Sequence, residues 1–196
     1  MTKLNVALVI LSVFLNVVAY EHRASAQGTE SVDWHEALRK AEAEIQKNPK
    51  SAFWHNQASV AYDGLGDFES AVKELQLASA LDPDDPSHDY SLFALYKRKG
   101  MLHQQREALL KALEIDGGNP LGQFELGVVL EKEGYLDGSL KAFRTAKLDA
   151  AEVKSNQYTD RRGGVYNIEF VPKKVDEYIE RITKLIASKR RETEKR

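Results

Sequence analysis

A period of 34 residues constrains this chain more than any other feature, because a repeat of that length decides helices, turns and packing in every unit at once. Ala52, Pro86 and Pro120 stand 34 residues apart, and the columns that follow them agree in chemistry. Gly66, Gly100 and Gly134 fall together where one helix must end and the chain turn sharply. Tyr62, Tyr96 and Leu130 precede that turn, and Phe68, Leu102 and Leu136 follow it. Ala78, Ala112 and Ala146 form a small-residue column that lets neighbouring helices approach, beside the large column of Leu75, Leu109 and Phe143. Asp85-Pro86 and Asn119-Pro120 each put a capping acceptor before a proline pre-set for the first helical position.

A half-unit precedes the three full ones: Ala37, Ala41 and Pro49 fall under Ala71, Leu75 and Pro83 at the same shift. Residues 27–51 therefore read as an incomplete first repeat that supplies one helix, followed by full repeats at 52–85, 86–119 and 120–153. Beyond them the phase is lost. Residues 154–172 alternate apolar and polar around Gly163-Gly164, the pattern of a short hairpin or ordered loop whose aromatic side should rest on the last repeat. Residues 173–196, after Pro172, carry Val175, Tyr178, Ile179, Ile182, Leu185 and Ile186 at helical steps and end in a mixed basic tail. Such a helix suits the exposed end of a repeat stack, with a partner-docking or dimerising helix as the alternative.

These residues resemble the tetratricopeptide repeat (TPR), a 34-residue helix-turn-helix unit, over about residues 32–153. Ala61-Tyr62, Gly66-Asp67-Phe68, Ala71, Ala78 and Asp82-Pro83 carry the match in the first full repeat, with Trp54 one place off the usual tryptophan. Phe93, Gln105, Gly117 and Ala151 depart from the pattern, which implies looser or shifted packing around them. The resemblance implies an all-α, TPR-type α-solenoid of about three and a half repeats with a C-terminal capping helix. It also implies a protein or peptide partner held on the concave side, lined by the first helix of each pair. Here that row is Asn56, Val60 and Asp63, then Tyr90, Ala94 and Lys97, then Phe124, Val128 and Glu131. TPR proteins that hold chaperone tails use a lysine and asparagine clamp, and the matching places hold Asn56, Val60, Ser91, Leu121 and Glu125. An acidic chain terminus is therefore disfavoured. An apolar peptide or helix is the expected ligand, with Tyr90 and Phe124 as its aromatic anchors.

The first residues fit an export signal. Lys3 gives a positive start, Val6 to Tyr20 an apolar run, and Ala24-Ser25-Ala26 a cleavage site, so the mature chain is expected to begin near Gln27. A helix over the apolar run would rise about 22 Å, short of the roughly 30 Å hydrocarbon core, so cleavage fits better than anchoring. The expected location is periplasmic or secreted, with no stable membrane span after signal removal. The chain has no cysteine, so disulfides and thiolate chemistry are excluded. A formal net charge of −2 over 196 residues offers no basic field for nucleic acid.

No catalytic motif emerges. The five histidines show no H-E-x-x-H spacing, and no phosphate loop, nucleophile elbow or dinucleotide fingerprint is present. No cofactor or metal is expected, and His35 and His55 each follow a tryptophan within a packed helix. The leading reading is a non-catalytic interaction module or assembly scaffold. The alternative is an enzyme or enzyme subunit using the 158–170 region around Asp160, Arg161 and Arg162.

Overall fold

The computed structural model describes residues 32–153, 157–159, 165–167 and 170–194. The chain divides into two compact units, meeting in sequence between Ile115 and Asp116. The first holds α1 (Trp34–Lys47), α2 (Ala52–Gly64), α3 (Phe68–Leu81), α4 (Pro86–Arg98) and α5 (Leu102–Ile115). The second holds α6 (Pro120–Lys132), α7 (Leu136–Glu152), β1 (Gln157–Thr159), β2 (Val165–Asn167) and α8 (Phe170–Glu194).

Local chemistry sets the helix ends at the 34-residue spacing. Side-chain oxygens of Asp33, Ser51, Asp67, Asp85 and Asn119 cap α1, α2, α3, α4 and α6 by accepting from backbone N–H groups in the first turn. Pro86 and Pro120 open α4 and α6, where a missing N–H costs nothing. Between the helices of each pair, Gly66, Gly100 and Gly134 take positive φ values of 81°, 68° and 87°. The residue after each glycine donates its N–H back to Tyr62, Tyr96 or Leu130 at 2.9–3.0 Å, closing the same turn three times.

In the first unit, consecutive helices pack on one another from α1 to α5. The small column closes the helix contacts: Ala78 and Ala112 are fully buried, as are Ala71 and Leu109. Phe93 and Gln105, where looser packing was expected, are both buried. Gln105 is accommodated because its side-chain amide donates to the Tyr96 carbonyl at 3.2 Å, satisfying a polar group where the repeat pattern has a small residue.

In the second unit α6 packs on α7, and α8 lies against both. Phe124, Leu136, Phe143, Ala146, Ala150, Val175 and Ile182 form its core, with Val128, Tyr178, Ile179 and Ile186 packed alongside. Pro172 sits inside the first turn of α8, so the final helix starts three residues earlier than its sequence boundary suggests. The strands pair antiparallel with Tyr158 opposite Tyr166, which supplies the expected hairpin; its side-chain packing and the Gly163-Gly164 turn lie outside the described residues.

Candidate functional site

Along α2 of the first unit, Phe53, Asn56, Val60 and Asp63 recur at steps of three, four and three residues, which places them on one helical face. Phe53 and Val60 are 56% and 41% exposed. Asn56 donates its Nδ2 to His88 Nδ1 on α4 at 3.0 Å, and Asp63 forms an ion pair with Arg98 at the other end of α4. These two links tie α2 and α4 together at both ends, with the apolar Val60 and half-buried Ala94 between them. Lys97 is exposed, its Nζ 5.3 Å from the centre of the Phe93 ring.

Tyr90 is placed differently from the sequence expectation. It is 5% exposed and belongs to the core of the first unit, so it offers no surface anchor. The accessible aromatic is Phe53, which the row of candidate residues omits; its signal in the sequence is the seven-residue step to Val60, two helical turns along the same face.

In the second unit the corresponding row is covered. Phe124, 6% exposed, meets the Tyr178 ring of α8 edge-on with centroids 5.1 Å apart, and Phe143 completes the cluster at 5.4 Å from Phe124 and 4.9 Å from Tyr178. Val128 packs against the same core. Glu131 accepts from Arg181 of α8 at 2.5 Å, and the Arg181 guanidinium lies 4.3 Å from the centre of the Tyr178 ring. On the other flank, Lys147 of α7 pairs with Asp176 of α8 at 2.6 Å. Phe124 is therefore not an open anchor: the chain's own terminal helix occupies its place, because both faces are apolar and their flanking charges complement.

Ionisable groups within the units serve packing. His55 is buried, with Nδ1 2.7 Å from Glu74 Oε2 and Nε2 3.0 Å from the Pro49 carbonyl, a strut joining α2 to α3 and the loop before it. Asp89 on α4 is 3% exposed; one carboxylate oxygen accepts from Ser79 at 3.2 Å and the other is buried without a hydrogen bond. Burial raises its pKa, partly offset by Lys111, Ser79 and His88. Burial and the neighbouring Glu152 likewise raise that of Asp149 on α7.

Asp82, Asp85 and His88 bring one potential metal-ligand atom each within 4.8 Å of one another. A search for two histidines on one helix face passes over this group, because it straddles the α3–α4 loop. Its members have local duties: Asp85 caps α4 through Ser87 N at 2.9 Å, and His88 receives the Asn56 amide. Asp160, Arg161 and Arg162 of the alternative enzymatic reading lie outside the described residues.

The family model of the tetratricopeptide repeat matches residues 52–85. No curated protein matches the chain in sequence. Among solved structures, a crystal structure of MamA is similar at 15% identity, covering 81% of this chain and 92% of that one, with a TM-score of 0.55. MamA 41-end from Desulfovibrio magneticus RS-1 is similar at 18% identity, covering 91% and 96%, with a TM-score of 0.53. PcrH in complex with the chaperone-binding region of PopD is similar at 18% identity, covering 80% and 96%, with a TM-score of 0.50. With helix pairs starting 34 residues apart, the chain carries a tetratricopeptide repeat at residues 52–85 and folds as an all-α solenoid of the TPR type that ends in a helix of its own.

Proposed function

We propose that this chain is an exported, non-catalytic scaffold that binds an apolar peptide or helix of another protein. The proposed contact surface is the α2 stripe of Phe53, Asn56, Val60 and Asp63, joined by Ala94 and Lys97 of α4. One observation carries the reading: at the repeat-equivalent positions Phe124, Val128 and Glu131, an amphipathic helix is already seated. A row that receives a helix in one repeat has the geometry to receive one in another, and on α2 the row keeps Phe53 and Val60 exposed. PcrH, which shares the fold, was solved with a segment of PopD bound. Helix-in-groove recognition reads anchors at i, i+3, i+4 and i+7 of the helix that enters the groove, the spacing Val175, Tyr178, Ile179 and Ile182 show on the seated α8. Asn56 and the Asp63–Arg98 pair would fix the register of the ligand on the apolar middle.

The export reading rests on Lys3, the Val6 to Tyr20 run and Ala24-Ser25-Ala26. Among the described residues, no helix is long and apolar enough to cross a membrane. The test is site-specific photocrosslinking in the native host. A probe replacing Val60 should capture one or a few defined proteins that a probe at the exposed Leu148 of α7 does not. The double change Phe53→Ala and Val60→Asp should abolish capture by a probe at Ala94 while leaving the melt unchanged. Equal capture from Val60 and Leu148 would remove the stripe as the binding surface.

A further inference from the structure

Asp82, Asp85 and His88 stand at steps of three residues between the end of α3 and the first turn of α4, and each brings a ligand atom within 4.8 Å of the other two. All three belong to the first unit. Pro83 and Pro86 fix φ on either side of Asp84-Asp85, so little backbone freedom remains to be lost when the carboxylates converge. Capping α4 uses only half of the Asp85 carboxylate. Its Oδ1 accepts from Ser87 N, while Oδ2 faces His88 Nε2 at 3.8 Å, beyond hydrogen-bond range. Ligand atoms around one zinc ion, each about 2.0–2.2 Å from it, stand roughly 3–4 Å apart, so side-chain shifts of about 1 Å close the trio on an ion.

Two observations outside the trio favour a cation over a plain acidic loop. His88 is 4% exposed, and its Nδ1 lies 3.0 Å from the Asn56 amide of α2. Metal-ligating histidines are held in this way, through the ring nitrogen that does not meet the metal. Next along α4, Asp89 is 3% exposed and keeps one carboxylate oxygen buried without a hydrogen bond. With Asp82, Asp84 and Asp85 it concentrates negative charge around one imidazole, and Lys111 offsets only part of it.

We propose that Asp82, Asp85 and His88 hold a divalent transition-metal ion, zinc by the mixed nitrogen and oxygen donor set. His88 binds through Nε2 and each aspartate through one oxygen, with water completing the coordination. The ring proton then sits on Nδ1, and the Asn56 amide turns over so that its Oδ1 accepts from it. The ion thereby ties the α3–α4 loop to α2. The site needs no partner on the α2 stripe, and its test uses none.

Titration calorimetry of the full-length protein with zinc chloride should give one site per chain, and zinc at a hundred times its Kd should raise Tm by about 5–11 °C. Magnesium in large excess should not displace it, since magnesium prefers oxygen donors and imidazole suits zinc. Asp82→Asn, Asp85→Asn and His88→Gln should each weaken binding at least about tenfold; asparagine still caps a helix, so the Asp85 change leaves α4 intact. His103→Gln, which removes the exposed histidine beside Glu107 on α5, should change nothing. Asn56 is a positioning residue: Asn56→Leu should weaken binding about 10–100-fold, whereas Asn56→Asp, which still accepts from Nδ1, should bind at least as tightly. Nitrogen NMR of the wild-type imidazoles should place the His88 proton on Nδ1 once zinc is bound. No binding at millimolar zinc, binding unaffected by the three ligand changes, loss of binding in His103→Gln, displacement by magnesium, or a His88 proton on Nε2 in the zinc form each overturns the proposal.

Discussion

Replacing Gly127 by alanine sets two opposed effects against each other on α6. Alanine in place of glycine inside a helix gains about 1 kcal/mol from backbone entropy. The added methyl, however, would sit 2.7 Å from Cδ1 and Cε1 of Phe143 and 2.9 Å from its Cζ. The ring has nowhere to go, being fully buried with Phe124 and Tyr178 at centroid distances of 5.4 and 4.9 Å. Ser139 also holds the Gly127 carbonyl at 2.8 Å, which resists separation of α6 from α7. Overpacking costs about 1–3 kcal/mol, and a fully buried ring held between two others falls in the upper half, about 2–3 kcal/mol, so the clash wins and a net loss of about 1–2 kcal/mol is expected after the propensity gain is subtracted. For a chain of this length that lowers Tm by about 2–8 °C, read by far-ultraviolet circular dichroism. Gly138→Ala on α7 is the internal control, since its methyl would meet Leu130 at an ordinary 3.4 Å and Tm should rise slightly. Adding Phe143→Leu to Gly127→Ala should cost less than the sum of the single changes, because the smaller side chain relieves the clash. A Gly127→Ala protein that melts at or above the wild type, or strict additivity in the double variant, would refute the reasoning.

Asp89→Asn should stabilise the protein at neutral pH by about 1 kcal/mol, the low end of the cost of a buried, incompletely bonded polar group, and the gain should vanish in acid. The folded-state pKa of Asp89 is raised, so below the unfolded value both states hold the proton, and wild-type stability falls as pH climbs from there through the folded value; urea melts across that range with no difference between the proteins would contradict this. Phe124→Ala should cost about 3–5 kcal/mol, as expected for a buried aromatic, whereas an open binding anchor would leave the melt unchanged. N-terminal sequencing of protein from its native host should start close to Gln27; recovery with residues 1–26 intact removes the export proposal.

Where helices begin and end was legible in the sequence, because it is decided within a few residues: an acceptor before a proline at Asp85 and Asn119, and a glycine with positive φ at Gly66, Gly100 and Gly134. The periodic columns were legible for a related reason, since positions such as Leu75, Leu109 and Phe143 must face a neighbouring helix in every unit, and all three are buried. Which partner each face meets was not legible. Phe124 and Val128 form an apolar stripe, and the stripe has the same period whether it awaits another protein or lies beneath Tyr178 and Ile182 of its own chain. Likewise nothing local to Asn56 shows that its amide is spent on His88, 32 residues away, or that Phe53 stays exposed while Tyr90 is buried. Caps and turns are satisfied by neighbours along the chain, so sequence determines them; the covering of a surface is a competition among distant segments, and only the tertiary structure decides it.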